Sequence, residues 1–149
     1  MLSFARLITT FFGLGYLAGA GTWASIAIML LAYFFLPESN LLGRIIIALT
    51  ATAILWYLTE ILRAKHDYQD PPFIVADEMA ATLLLAALLP TNLWVYLVAF
   101  FVFRLFDITK WGGIYLLEKW PKTLGIMADD FAAAGYAYII AILFNLLIQ

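Results

Sequence analysis

The chain contains no cysteine and a single histidine, His66. The first absence excludes disulfides and thiolate chemistry. Together the two exclude a conventional zinc site, because His66 has no second nitrogen ligand and no thiolate to join it. There is also no HExxH helix, no GxSxG nucleophile elbow and no phosphate-binding P-loop. Charge is scarce as well: 12% of the 149 residues are charged, 66% are hydrophobic, and the mean hydropathy is +0.99. Soluble domains are nearer half apolar and a quarter charged, so the composition is that of an integral membrane protein. Net charge is −2 with no basic run, and the 17% aromatic content suits interfacial belts and packed helices rather than base stacking. Nucleic acid is therefore not expected as a partner. The length fits one domain, residues 1–149.

What is present is a series of apolar runs separated by short polar breaks. Met1–Gly19 resembles a signal peptide only weakly, since Arg6 is a thin basic region and the apolar pattern resumes at Trp23. The expectation is that the segment is retained. The stretch carrying Gly13, Gly15, Gly19 and Gly21 resists one continuous helix. The pattern predicts an interfacial or half-inserted first helix over Leu2–Phe12, then a helix over Thr22–Leu36 with Thr22 as its N-cap. Further spans are predicted over Leu41–Leu62, Ile74–Leu89, Leu93–Phe106 and Phe131–Leu147. The expected fold is all-α, a polytopic transmembrane bundle of about five to six helices.

Followed through a bilayer, the polar pieces fall on one side. Arg6, Arg63, Lys65, Arg104, Lys110, Lys119 and Lys122 share a face, and Arg44 alone lies on the other. The positive-inside rule makes the loaded face cytoplasmic. Phe101–Asp130 holds eight of the eighteen formal charges. Within it Arg104, Asp107 and Lys110 sit three residues apart and share one helix face. Two acidic pairs, Asp77–Glu78 and Asp129–Asp130, open apolar runs. Stabilisation by a helix N-terminus accounts for one acid per helix, but poorly for two pairs on one face. With Asp107, and Asp70 as a further candidate, up to six carboxylates converge at one interface. Oxygen-only ligands suit Mg²⁺ or Mn²⁺. Carboxylate-held metal with Arg104 and Lys110 is equipment for phosphoryl groups. Gly19–Ser25 adds backbone N–H groups and the hydroxyls of Thr22 and Ser25, a phosphate cradle or a small-residue packing stretch. His66, beside Asp67, reads as a surface residue.

GTWAS, IVADE, FFVFRLFDITK and GIMADDFAAAG, in this order and spacing, resemble the phosphatidylglycerophosphatase A family over roughly residues 13–141. The resemblance implies a Mg²⁺-dependent, multi-pass enzyme of the bacterial inner membrane, with its active site on the cytoplasmic face. Such an enzyme converts phosphatidylglycerophosphate to phosphatidylglycerol within the bilayer. It implies Asp77, Glu78, Asp107, Asp129 and Asp130 as metal ligands, with Asp77, Asp129, Asp130 and Arg104 catalytic. Arg104 and Lys110, with Thr22 and Ser25 lining the site, would bind substrate. Attack by metal-activated water is the favoured route, and an aspartyl-phosphate is the alternative. The sequence departs from the family pattern in having Ala20 where a proline is usual, and Lys110-Trp111-Gly112-Gly113 in place of a KPxP-type segment. Loss of those prolines is expected to loosen the turn that fixes Lys110. The competing readings are a phosphatase for another lipid phosphate and a non-catalytic membrane partner or small transporter subunit. Neither metal number nor oligomeric state is legible.

Overall fold

The computed structural model describes residues 2–36, 40–66 and 73–149, the side chains of Lys65 and His66 excepted. Six α-helices follow in order: α1 (Leu2–Thr9), α2 (Ala20–Phe35), α3 (Leu41–His66), α4 (Ala76–Leu88), α5 (Leu93–Thr109) and α6 (Thr123–Ile148). Two 3-10 turns, Leu14–Tyr16 and Ile114–Lys119, lie before α2 and between α5 and α6. Among the described residues there is no strand, as the composition requires. Among the described residues two helices, Leu41–Ala64 within α3 and Thr123–Ile148, are long and apolar enough to cross a membrane, and α2 is a shorter apolar helix.

The helix ends follow local chemistry. Gly19, in the left-handed conformation at φ 70°, opens α2 at Ala20. Thr22 therefore lies inside the first turn and is not the N-cap that its residue type suggested. Asn92 caps α5 by accepting from the Trp94 N–H at 2.9 Å. The first helix stops at Thr9, short of the expected Phe12, because Phe11, Phe12 and Gly13 all turn to positive φ. Its end is docked on the approach to α4: the Val75 N–H donates to the Thr9 carbonyl at 2.9 Å. A side chain at Gly15 would run into the Phe73 carbonyl, so glycine there permits the close approach of the two segments.

α4 is the centre of the bundle and packs against α2, α3 and α6, while α5 pairs mainly with α6. Small residues make this possible. Ala76, Ala80, Ala81, Ala86 and Ala87 of α4, Ala99 of α5, and Ala133, Ala137 and Ala141 of α6 are fully buried, and short side chains let helix backbones approach closely. Large apolar residues such as Phe34, Phe35, Leu42, Trp94, Phe101 and Leu147 face outward. An apolar exterior over a small-residue interior is the arrangement expected of a protein solvated by lipid.

Arg44, the lone cation of the far end, is buried and donates from Nη2 to the carbonyls of Ala86 (2.6 Å) and Leu89 (2.7 Å). The Tyr96 hydroxyl also donates to the Ala86 carbonyl, at 3.0 Å. A cation at the last carbonyls of α4 adds a charged donor at the helix end and complements its dipole. Arg44 is thus the C-terminal cap of the central helix.

The last helix begins at Thr123, two turns before the expected Phe131. The residue before it, Lys122, has φ 62° and ψ −151°, a region open essentially to glycine alone. Holding a lysine there costs on the order of 1–3 kcal/mol. Lys122→Gly is expected to recover about 1 kcal/mol net of glycine's entropy, and to raise the unfolding temperature in detergent by about 2–4 °C. An unchanged or lower melting temperature would show the lysine to be at ease.

Candidate active site

The loaded end of the bundle is assembled from four helices. The start of α4 supplies Asp77 and Glu78. The end of α5 supplies Arg104 and Asp107, with Lys110 just beyond it. The second and third turns of α6 supply Asp129 and Asp130, and the first turns of α2 supply Gly21, Thr22 and Ser25. Asp77 and Glu78 lie in the first turn of α4, where the helix dipole favours them. Asp129 and Asp130 do not open their helix, as the sequence pattern suggested. They sit well inside α6, so the dipole explanation fails for the second pair.

What holds the second pair is Lys110. Its Nζ is 2.6 Å from Asp129, 2.9 Å from Asp107, 3.8 Å from Asp130 and 3.7 Å from the more exposed Glu118. Burial alone would lower the ammonium's pKa. The Asp129 carboxylate and then Asp107 outweigh it, and the group is held well above the ordinary lysine value. Arg104 pairs through Nη1 with Asp107 and stands 4.0 Å from Glu78. The spacing of three along α5 thus becomes a ladder, Arg104–Asp107–Lys110, on one helix face.

The turn that carries Lys110 is firmly built despite lacking prolines. Lys110 itself ends α5 in the left-handed conformation, its N–H bonded to the Phe106 carbonyl at 2.8 Å. Gly112 and Gly113 follow with positive φ. The Tyr136 hydroxyl donates to the Gly112 carbonyl at 3.0 Å, and its ring stacks on Phe106 at 4.7 Å. The expected loosening is therefore offset by a tyrosine clasp from α6.

Five carboxylates and two cations meet here, an excess of three negative charges if all are ionised. Among them Glu78 Oε2, Asp129 Oδ1 and Asp130 Oδ2 are buried without a hydrogen-bond partner. Unpaired buried carboxylate oxygens are costly and call for a ligand. Asp77, Glu78 and Asp130 can each bring one oxygen within 4.8 Å of the others. Three carboxylate oxygens gathered at this range offer the all-oxygen donor set that a hard divalent cation takes. Asp107 and Asp129 are instead held by Arg104 and Lys110 in this state.

The hydroxyls predicted to line the site divide. Ser25 is fully buried and donates to the Gly21 carbonyl of its own helix at 2.7 Å. Thr22 is half-buried on the first turn of α2. Asp70, the further acidic candidate, lies outside the described residues, as do the side chains of His66 and Lys65. The role that motif reading passed over is that of Gly21, taken there only as part of the Gly19–Ser25 stretch. A Cβ there would collide with Glu78 Oε1, reach its Cδ at 2.8 Å and lie 3.3 Å from Arg104 Nη1. The carboxylate thus packs directly on the α2 backbone, and the glycine-dense run was the only trace of this in the sequence.

The family model described as phosphatidylglycerophosphatase A matches residues 7–145. The chain is 37% identical over 146 residues to phosphatidylglycerophosphatase A of Haemophilus influenzae, covering 94% of this chain and 88% of that protein. It is 31% identical over 143 residues to a Bacteroides thetaiotaomicron protein provisionally named phosphatidylinositol-3-phosphatase, covering 90% of this chain and 89% of that protein. No solved structure matches. With a match across nearly its whole length and the acids, arginine and lysine of its motifs gathered at one end of the bundle, the chain belongs to the phosphatidylglycerophosphatase A family and is a phosphatase.

Proposed function

We propose that this chain is a Mg²⁺-dependent, multi-pass enzyme that hydrolyses phosphatidylglycerophosphate to phosphatidylglycerol and phosphate at the cytoplasmic face of a bacterial inner membrane. The observation that carries the reading is the approach of Asp77, Glu78 and Asp130 oxygens to a common point, beside an arginine and a lysine. Family membership supports the substrate, and the gathering of cations at the site's end of the bundle supports the orientation.

Asp77, Glu78 and Asp130 would hold the ion, with Asp107 and Asp129 available as further ligands. The bound ion would offset charge on the phosphoryl oxygens and lower the pKa of a water able to attack phosphorus. Arg104 presents a planar donor fork suited to a phosphate, and Lys110 a mobile point charge. Both are tied to carboxylates in this state, so a phosphoryl group exchanges one set of anionic partners for another rather than meeting bare cations. Asp107 keeps Arg104 and Lys110 aligned through that exchange. The acyl chains stay beside the apolar outer faces of the helices, and only the headgroup enters among the charges.

A phosphatase for a different lipid phosphomonoester is the second reading, favoured by the name of the Bacteroides relative. A non-catalytic membrane partner is set aside by the family assignment.

Chelation is expected to abolish phosphate release from phosphatidylglycerophosphate, and added Mg²⁺ to restore it. Full activity in chelator would sink the metal reading. Hydrolysis of phosphatidylinositol 3-phosphate with a higher kcat/KM would favour the second substrate instead. Asp77→Asn and Asp129→Asn are each expected to lower kcat by roughly 100-fold or more while the protein still inserts. Near-parental rates in both would refute the assignment of these acids.

Gly21→Ala places a methyl group on the Glu78 carboxylate. Misplacing a catalytic group by about 1 Å can cost on the order of 100-fold, so a drop of roughly 10- to 100-fold in activity is expected with normal membrane insertion. A parental rate in this variant would show that Glu78 moves aside freely.

A further inference from the structure

One ion-paired group lies outside the charged site and is used by none of the chemistry above. Glu60, near the end of α3, accepts from Arg63 Nη2 at 2.7 Å and Nε at 3.2 Å. It also accepts from the hydroxyl of Thr123, sixty-three residues away and the first residue of α6. Thr123 is buried with 1% of its surface exposed, whereas the Glu60 side chain keeps 37%. A surface pair of Glu60 and Arg63 would need no partner from another helix, since spacing of three on one helix is sufficient. The buried hydroxyl is the unusual part.

The start of α6 explains why it matters. Its N-cap, Lys122, makes no side-chain capping hydrogen bond and sits in a strained backbone conformation. A side chain at Gly125 would strike the Trp120 carbonyl, so the first turn is wedged against the preceding loop. The helix therefore lacks the side-chain cap that ordinarily fixes where a helix begins. Thr123 lies six and seven residues before Asp129 and Asp130, about 10 Å along the helix axis at 1.5 Å per residue. Any slide or rotation of the first turn is passed to those carboxylates through a stiff helix.

We propose that the Thr123–Glu60–Arg63 cluster is a positioning device that sets the register of α6 against α3, and thereby places Asp129 and Asp130 for divalent-cation binding. The inference rests on the metal-dependent reading given above. Neither Glu60 nor Thr123 touches the ion or the substrate; Arg63 keeps the carboxylate turned toward α6.

The test is Mn²⁺ binding to the full-length protein in detergent, followed by electron paramagnetic resonance, beside Mg²⁺-dependent release of phosphate from phosphatidylglycerophosphate. Thr123→Val, which keeps the shape and removes the donor, is expected to weaken Mn²⁺ binding by about tenfold. It should raise the half-saturating Mg²⁺ concentration by a similar factor, with little change in KM for lipid. Thr123→Ser should restore both to within about twofold, and the Thr123→Val, Glu60→Ala double variant should be no weaker than the worse single, because one hydrogen bond is lost only once. Should Thr123→Val not fold, Glu60→Ala, which removes the acceptor, carries the same expectation. Parental Mn²⁺ affinity in the folded variants, or full additivity of the two, overturns the positioning role while the phosphatase reading stands. A parent protein that takes up no Mn²⁺ and is active in chelator overturns the metal reading, and the positioning role falls with it.

Discussion

An apolar bundle that encloses five carboxylates has one overriding electrostatic constraint: the negative charge must be answered from within. Asp107, Asp129 and Asp130 are buried among the helices, and an unanswered carboxylate in such surroundings is costly. The arrangement of α4, α5 and α6 is the answer. α5 brings a cation every third residue on either side of Asp107, and Lys110 reaches across to Asp129 of α6. Oxygens of Asp77, Glu78 and Asp130 are gathered within 4.8 Å of one another, the kind of donor set that suits a hard cation. Structure and chemistry are thus the same problem, since the charges that the fold must balance are also the groups of the candidate site.

The packing serves that constraint. α4 has only thirteen residues and is surrounded, so its acidic first turn is held within the bundle. Alanine and glycine at its contacts let α2 come close enough for the Gly21 backbone to rest on Glu78. At the opposite end Arg44 closes the carbonyls of the same helix. A short helix fixed at both ends by charged groups is a firm post on which to mount a site.

Much of this was legible from residue type and spacing. The apolar runs placed α2 to α5 to within a few residues, and the interval of three in Arg104, Asp107 and Lys110 foretold a shared face. The tally of lysines and arginines also separated Arg44 from the rest. The failures have physical causes. Asp129 and Asp130 were read as a helix boundary because charge usually marks one; here Lys110 compensates them, and the helix runs through. Thr22 looked like a cap, yet Gly19 reaches a left-handed conformation at lower cost. The bonds of Arg44 to α4 and of Thr123 to Glu60 join residues more than forty positions apart, and no local pattern encodes such a meeting.

Lys110 has a further consequence for the life of the protein. A side chain cannot diffuse away, be sequestered or run short, so part of the acid cluster is neutralised from the moment the helices come together. The newly made chain can therefore bring its charged helix ends together without waiting for any ligand, and on the metal-dependent reading proposed above, metal supply would govern when the enzyme switches on rather than whether it survives.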